Sequence, residues 1–248
     1  MSPSNQIAYI IVIALAAFLT GLSKGGLVGM MGVLITPMMA LVMPMEEAIG
    51  LLLPILMLGD LFAVAAHWRR WDQRRIWILL AGALVGVTLG TFVITSLPSS
   101  VLRKGLGMLV LLFVLYRLFE KRILGALQYQ TRRWHGALAG SLAGFTSTLA
   151  HAGGPPITIY LLMQDLQPGV FVATAVLFFA VLNWIKVPYY LYAGLFDFST
   201  ELKLIWLAPL VPLGVWLGKR LVYRINKVWF EWIIISLLLI SGVLLLVE

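Results

Sequence analysis

The chain has 248 residues, 61% of them hydrophobic and 11% charged, with a mean hydropathy of +0.99. That composition excludes an ordinary soluble domain and indicates an integral membrane protein. The absence of cysteine excludes a disulfide framework, a thiolate metal site and cysteine-based catalysis.

Apolar spans are expected at about Ile7 to Leu22, Leu27 to Met43, Ala48 to Ala66, Ile76 to Leu97 and Val101 to Phe119. In the second half they fall at Gly136 to Ala150, Ile157 to Met163, Val170 to Leu195, Leu202 to Leu217 and Val228 to Val247. A helix crosses a bilayer core of about 30 Å in roughly 20 residues, so most of these can span it. The short stretches at Leu27 to Met43 and Ile157 to Met163 read equally as full crossings or as halves of re-entrant hairpins. The expected fold is all-α and membrane-integral, with about 8–10 transmembrane or re-entrant helices. No Lys or Arg precedes Lys24, so the first stretch lacks the basic region of a cleavable signal peptide and is expected to be retained.

The net charge of +8 could suggest nucleic acid, but the positions of the charges argue for topology instead. Most of the 18 basic residues fall in three regions: Arg69, Arg70, Arg74 and Arg75; Arg117, Lys121, Arg122, Arg132 and Arg133; Lys219, Arg220, Arg224 and Lys227. Basic residues clustered beside helix ends mark cytoplasmic loops. If all three regions share that side, each half holds an odd number of crossings and both termini lie outside, with Glu46, Glu47, Asp197 and Glu201. The localisation expected is the plasma (inner) membrane, multi-pass, with a periplasmic N-terminus and C-terminus.

Internal similarity supports a duplication. Gly21 pairs with Gly144, and the same register pairs Asp60 with Asn183; after a five-residue jump, Gly86, Leu89 and Gly90 pair with Gly214, Leu217 and Gly218. Halves with odd span numbers are oppositely oriented, so the expectation is two inverted-topology repeats, residues 1–123 and 134–248, joined by a basic linker at 124–133. Gly82, Gly86 and Gly90 recur every four residues, which lets helix backbones approach closely in lipid.

Each half contains a polar, glycine-rich break: Gly21-Leu22-Ser23-Lys24-Gly25-Gly26 and Ser147-Thr148-Leu149-Ala150-His151-Ala152-Gly153-Gly154-Pro155-Pro156. Helices broken at matching positions of a duplicated membrane protein point to a transporter's substrate site near the midplane. Unwound backbone around Gly25 and Gly26, and around Gly153, Gly154 and Pro155, would leave free N–H groups, and a helix N-terminus favours an anion. Ionisable residues inside a bilayer are costly and by default mark substrate or ion pathways. Lys24 and Lys186 are expected to attract and hold an anionic head, while Ser23, Ser147, Thr148, His151 and Asn183 donate hydrogen bonds. Asn183 and Lys186 are three residues apart and share a helix face. Asp60 is the carboxylate deep in a span, suited to balancing charge or carrying a coupling proton. Two lysines against one carboxylate predict an anionic substrate.

The runs Gly21-Leu22-Ser23-Lys24-Gly25-Gly26 to Gly32-Val33-Leu34-Ile35-Thr36-Pro37, and Gly144-Phe145-Thr146-Ser147 to Gly153-Gly154-Pro155-Pro156, resemble the duplicated motifs of the TauE/SafE family. That family comprises sulfite exporters and permeases for sulfonates and other sulfur anions. The resemblance extends from about Ala17 to Leu245 and implies a gradient-driven secondary transporter of small sulfur-containing anions. Met30 and Met31 interrupt the family's first glycine run, and Lys24 and His151 stand where many members carry small residues. The expected mechanism is alternating access, with one repeat rocking against the other. The partners expected are a small anionic substrate, membrane lipid and no nucleic acid, with a coupling proton and a homodimer also considered; no cofactor or metal is expected. Two other functions fit some of the same residues. An anion channel could use the same pathway, and Ser147 with His151 at a spacing of four could form the nucleophile and base of an intramembrane enzyme.

Overall fold

The computed structural model describes residues 3–25, 31–126, 132–164, 166–196, 205–221 and 227–247. Gly26, Asp197, Glu201 and Arg224, and the middle of the basic linker, lie outside the described residues. Within them the chain forms ten α-helices, one 3-10 turn and no strand.

The first half contributes α1 (Pro3–Gly25), α2 (Met31–Ala40), α3 (Met45–Ala66), α4 (Gln73–Ser96) and α5 (Ser99–Ala126). The second contributes α6 (Arg133–Ala150), α7 (Gly154–Leu162), α8 (Pro168–Tyr192), α9 (Leu210–Leu221) and α10 (Lys227–Val247). Segments of α1, α3, α4, α8 and α10 are long and apolar enough to cross a membrane, so the chain is a multi-pass membrane protein.

The two short helices are not crossings. At about 1.5 Å per residue, the ten residues of α2 and nine of α7 cover roughly half a bilayer core. Tyr160, late in α7, lies against Gly136, early in α6, while Gly153 lies against Ala143, so α7 folds back along α6. In the first half, Ile13 and Ala16 of α1 share a core cluster with Ile35 and Met39 of α2 and with Met43 beyond it. Each short helix therefore folds back along the helix before it, making a helical hairpin. The two hairpins touch where the hydroxyl of Thr36, midway along α2, donates to the carbonyl of Ala150, the last residue of α6, at 2.7 Å.

Two glycine seams join the halves. On one, Gly21 and Gly25 of α1 lie against Val211, Gly214, Val215 and Gly218 of α9, and the matching numerical order makes the helices parallel. On the other, Gly82 and Gly86 of α4 lie against Ala137, Ser141 and Phe145 of α6, again parallel. Helix α3 meets α8 antiparallel, with Gly50 at Leu195 and Asp60 at Asn183. Helix α5 meets α10 antiparallel around Gly107 and Gly242. With little hydrophobic drive between helices in lipid, such close approach is the main source of cohesion.

The starts of α4 and α10 and the ends of α5 and α9, which carry most of the described basic residues near helix ends, lie on one face. The Arg75 Nε donates to the Gln164 side chain at 3.0 Å, joining the start of α4 to the end of α7. Arg117 pairs with Glu231 at 3.0 Å, joining α5 to the start of α10. His67, just beyond α3, is pushed below its ordinary value by burial and by the positive charges of Arg70 and Lys219, which places the end of α9 beside it. On the opposite face Tyr9 donates to Glu47 at 2.5 Å, and Ser99 donates to Glu46.

Asp72 caps α4, its carboxylate accepting from the Arg75 backbone N–H at 2.9 Å and pairing with the Arg75 guanidinium. Partial burial opposes the charged form, but the Arg75 hydrogen bonds and charge prevail and hold the carboxyl below its ordinary value of 3.8. A lowered folded-state value contributes stability that is present above the unfolded value and lost as pH falls through the folded one. Asn caps a helix as well as Asp, so Asp72→Asn should remove only the charge interaction with Arg75 and the helix start, and lower the melting temperature at pH 7 by an amount corresponding to a few tenths of a kcal/mol. Thermal unfolding in detergent should show the gap from wild type closing as pH falls below 3.8; a gap independent of pH would refute the charged cap.

Candidate functional site

A cavity of ≈ 160 Å³ lies between the hairpin tips and is walled by α1, α2, α3, α6, α7 and α8. Its polar end carries Thr20, Ser23 and Lys24 from α1, Ser147 and His151 at the end of α6, and Asn183 from α8. Gly32 and Gly154, in the first turns of α2 and α7, open onto it, and a Cβ at either would meet nothing within 4 Å. The first turns of both half-helices thus border one space. The remaining wall is mostly apolar, with Leu56 of α3 and Phe171, Ala175, Val176 and Phe179 along one face of α8.

The first break differs from its expected form. Gly21 to Gly25 remain helical, and Lys24 sits in the last turn of α1 rather than in an unwound stretch. Gly21 and Gly25 serve the seam with α9, so their absent side chains provide close packing rather than unwinding. The Lys24 ammonium pairs with the Asp60 carboxylate, whose other oxygen accepts from Asn183 Nδ2 at 2.6 Å. Gly59 gives the lysine stem its room, since a Cβ there would lie 3.1 Å from Lys24 Cγ. Asp60 and Asn183, partners in the internal register, therefore meet directly.

The second break has its unwound stretch. His151 closes α6 in the left-handed region, with φ 51° and ψ 27°, and its N–H returns to the Ser147 carbonyl at 2.9 Å. A non-glycine residue held there carries backbone strain of a kind that collects at functional sites. Gly153 precedes α7, and Pro155 and Pro156 occupy its first turn, where a missing N–H leaves no broken bond. Two of the donors that a helix start would offer are thereby removed, leaving the Gly154 amide as the one nearest the cavity.

Lys186 is fully buried and stands behind the cavity wall, contrary to the expectation that it reaches the substrate space. Its ammonium donates to Ser147 Oγ at 3.1 Å and to His151 Nδ1 at 2.9 Å. The Ile49 carbonyl, 3.0 Å from His151 Nε2, can only accept, so the ring carries its proton on Nε2 and accepts from Lys186 on Nδ1. Both ring nitrogens of His151 are thus engaged, and Lys186 draws Ser147 and His151 to itself rather than to each other as a nucleophile and base would require. Thr148 is likewise turned away: its hydroxyl donates to the Gly144 carbonyl at 2.8 Å, and its side chain packs at Gly90.

Thr20 escaped the sequence reading. It is one turn before Lys24 on the same face of α1, is 1% exposed, and its hydroxyl has no hydrogen-bond partner. A buried hydroxyl left unpaired costs about 1–3 kcal/mol. The available signal was its spacing of four from Lys24 in an otherwise apolar helix. Among the described residues no cluster of His, Cys, Asp and Glu has the makings of a metal site.

Comparison with curated proteins and with solved structures gave no match. The family profile described as sulfite exporter TauE/SafE matches residues 13–245, nearly the whole length, and the chain belongs to this family of membrane transporters.

Proposed function

We propose that the protein is a secondary transporter of a small sulfur-containing oxyanion, working by alternating access and coupled to an ion gradient across the plasma membrane. The observation that carries this reading is the cavity between the two hairpin tips, bordered by the Lys24 ammonium, the Ser23 and Ser147 hydroxyls and the first turns of α2 and α7. These groups supply positive potential and hydrogen-bond donors in a medium where an unpaired charge is costly. Asp60 pairs with Lys24, so an arriving anion competes with an internal carboxylate for the same ammonium. That competition offers a route to coupling, since a carboxylate displaced from its lysine becomes a natural proton acceptor.

The paired glycine seams, with the antiparallel contacts of α3 with α8 and α5 with α10, support two inverted repeats related by an axis in the membrane plane. The shared face of Arg69, Arg70, Arg75, Arg117 and Lys219 supports a cytoplasmic assignment for that face and outward termini.

Purified protein in liposomes should take up at least one of sulfite, thiosulfate, sulfoacetate or an aryl sulfonate. The uptake should saturate, show counterflow and respond to an imposed pH gradient. Non-saturating flux without counterflow would identify a channel, and absence of uptake across the panel would reject anion transport.

A further inference from the structure

We infer that His151 is the bolt of a gate that closes the cavity toward the face of Glu46 and Glu47, and that Lys186 is the positioning residue that sets this bolt. The inference rests on the alternating-access reading above and names the contacts that break when one half rocks against the other.

The cavity runs one way from its polar end. Along α8 its lining goes from Asn183 back to Phe171 in the first turn, and along α1 it ends with Ser23 and Lys24 in the last turn. Both turns lie toward the face that carries Arg75 and Arg117. The Asp72 N–H at the start of α4 donates to Thr174 of α8 at 2.9 Å, and Gly25 packs on Gly218 near the end of α9. In the other direction Ile49, Ala150, Lys186 and Tyr190 are all buried around the His151 ring. The cavity is therefore closed at His151 and approached from the basic face.

Two hydrogen bonds cross between the halves at this closure. His151 Nε2 donates to the Ile49 carbonyl of α3 at 3.0 Å, and Thr36 of α2 donates to the Ala150 carbonyl at 2.7 Å. The bond between Asp60 and Asn183 also joins the halves, but it lies about 16 Å farther along α3, at 1.5 Å per residue, and suits a pivot. Three helices at the closure lack a backbone rung beside it. Pro37 follows Thr36 in α2, and Pro188 lies two residues after Lys186 in α8. Pro54 of α3 leaves the Gly50 carbonyl, next to Ile49, without its usual helix N–H. Missing rungs are where helices bend, and the left-handed backbone of His151 adds strain that opening would relieve.

Lys186 decides which nitrogen of His151 faces α3. A neutral imidazole has one N–H, and with Nδ1 accepting from Lys186 that proton stands on Nε2, aimed at Ile49. The other partners of the Lys186 ammonium are the hydroxyl and carbonyl of Ser147, with the Tyr190 ring 5.8 Å away. All of these are neutral. A buried cation paired with no carboxylate is a cost to the fold, so its use lies in holding the bolt.

The chain has no cysteine, so a single introduced one reports which face reaches the cavity. Gly154→Cys places a thiol on the cavity where a Cβ meets nothing within 4 Å. In liposomes, a membrane-impermeant methanethiosulfonate added to one side at a time should modify this parent from the basic face and only slowly from the Glu46 face. His151→Asn keeps a residue that tolerates left-handed backbone but cannot reach both Lys186 and Ile49. In the same parent it should raise modification from the Glu46 face by about tenfold or more, the scale of one buried hydrogen bond. Lys186→Met should act in the same direction while the melting temperature stays at or above that of the parent. Unchanged modification with His151→Asn, or equal modification of the parent from both faces, overturns the gate. No change of sidedness with Lys186→Met, whatever its melting temperature, overturns the positioning role. Sidedness that shifts as expected while the wild type takes up none of the anion panel leaves the gate standing and removes the transport reading. Uptake with unshifted sidedness removes the gate alone.

Discussion

Lys24→Met should abolish anion uptake, and Lys24→Met combined with Asp60→Asn should recover the fold without recovering transport. The single change strands Asp60, whose side chain is 4% exposed, with Asn183 as its remaining partner. Removing one member of a buried ion pair costs about 3–5 kcal/mol, because the other charge stays behind. The single variant should therefore show a lower melting temperature in detergent as well as no uptake. The double variant removes both charges while keeping an oxygen for the Asn183 amide, so most of the thermal loss should return. Transport should not, because the cation facing the cavity is gone. Wild-type uptake by the double variant would show that Lys24 serves only to neutralise Asp60, and the anion site would then have to be placed elsewhere.

Gly86→Leu should be severely damaging to the fold. A Cβ at Gly86 would run into the Ser141 carbonyl and lie 2.6 Å from the Phe145 nitrogen, both backbone atoms of α6. Overpacking a core against yielding side chains costs about 1–3 kcal/mol. Here neither obstacle can rotate aside, so the two helices must separate along the whole seam, and the loss should exceed that range. Size-exclusion profiles and thermal melts should show little properly folded protein. Gly105→Ala, where a Cβ would meet nothing within 4 Å, provides the comparison and should behave as wild type. Equal behaviour of the two variants would show that the seam does not hold the fold.

The glycine spacing and the charge placement made much of this arrangement legible in advance. The run Gly82, Gly86 and Gly90 marks a face that meets another backbone, and Arg75 and Arg117 each tie together the helix ends expected to lie beside one another. The internal register brought Asp60 and Asn183 together as equivalents, and they are hydrogen bonded to each other. Less legible was what each glycine does. Gly21 and Gly25 look in sequence like the unwinding glycines of the second break, yet they lie inside a helix because their use is contact with α9. Periodicity gives the helix face but not its depth behind a wall: Asn183 and Lys186 share a face, yet Asn183 lines the cavity and Lys186 is sealed behind Ser147 and His151. Thr20 was missed because threonine in an apolar helix commonly satisfies itself on its own backbone.

The glycine seams bear on how the chain is made. Each joins a helix from the first 123 residues to one synthesised after them: α1 waits for α9, and α4 waits for α6. When the first half enters the bilayer, both of its glycine faces are still bare, exposed to lipid or to whatever other helix passes. A half produced alone would keep the core shared by α1, α2 and α3 but would lack both seams, so α1 and α4 reach their closest packing only when translation supplies their partners.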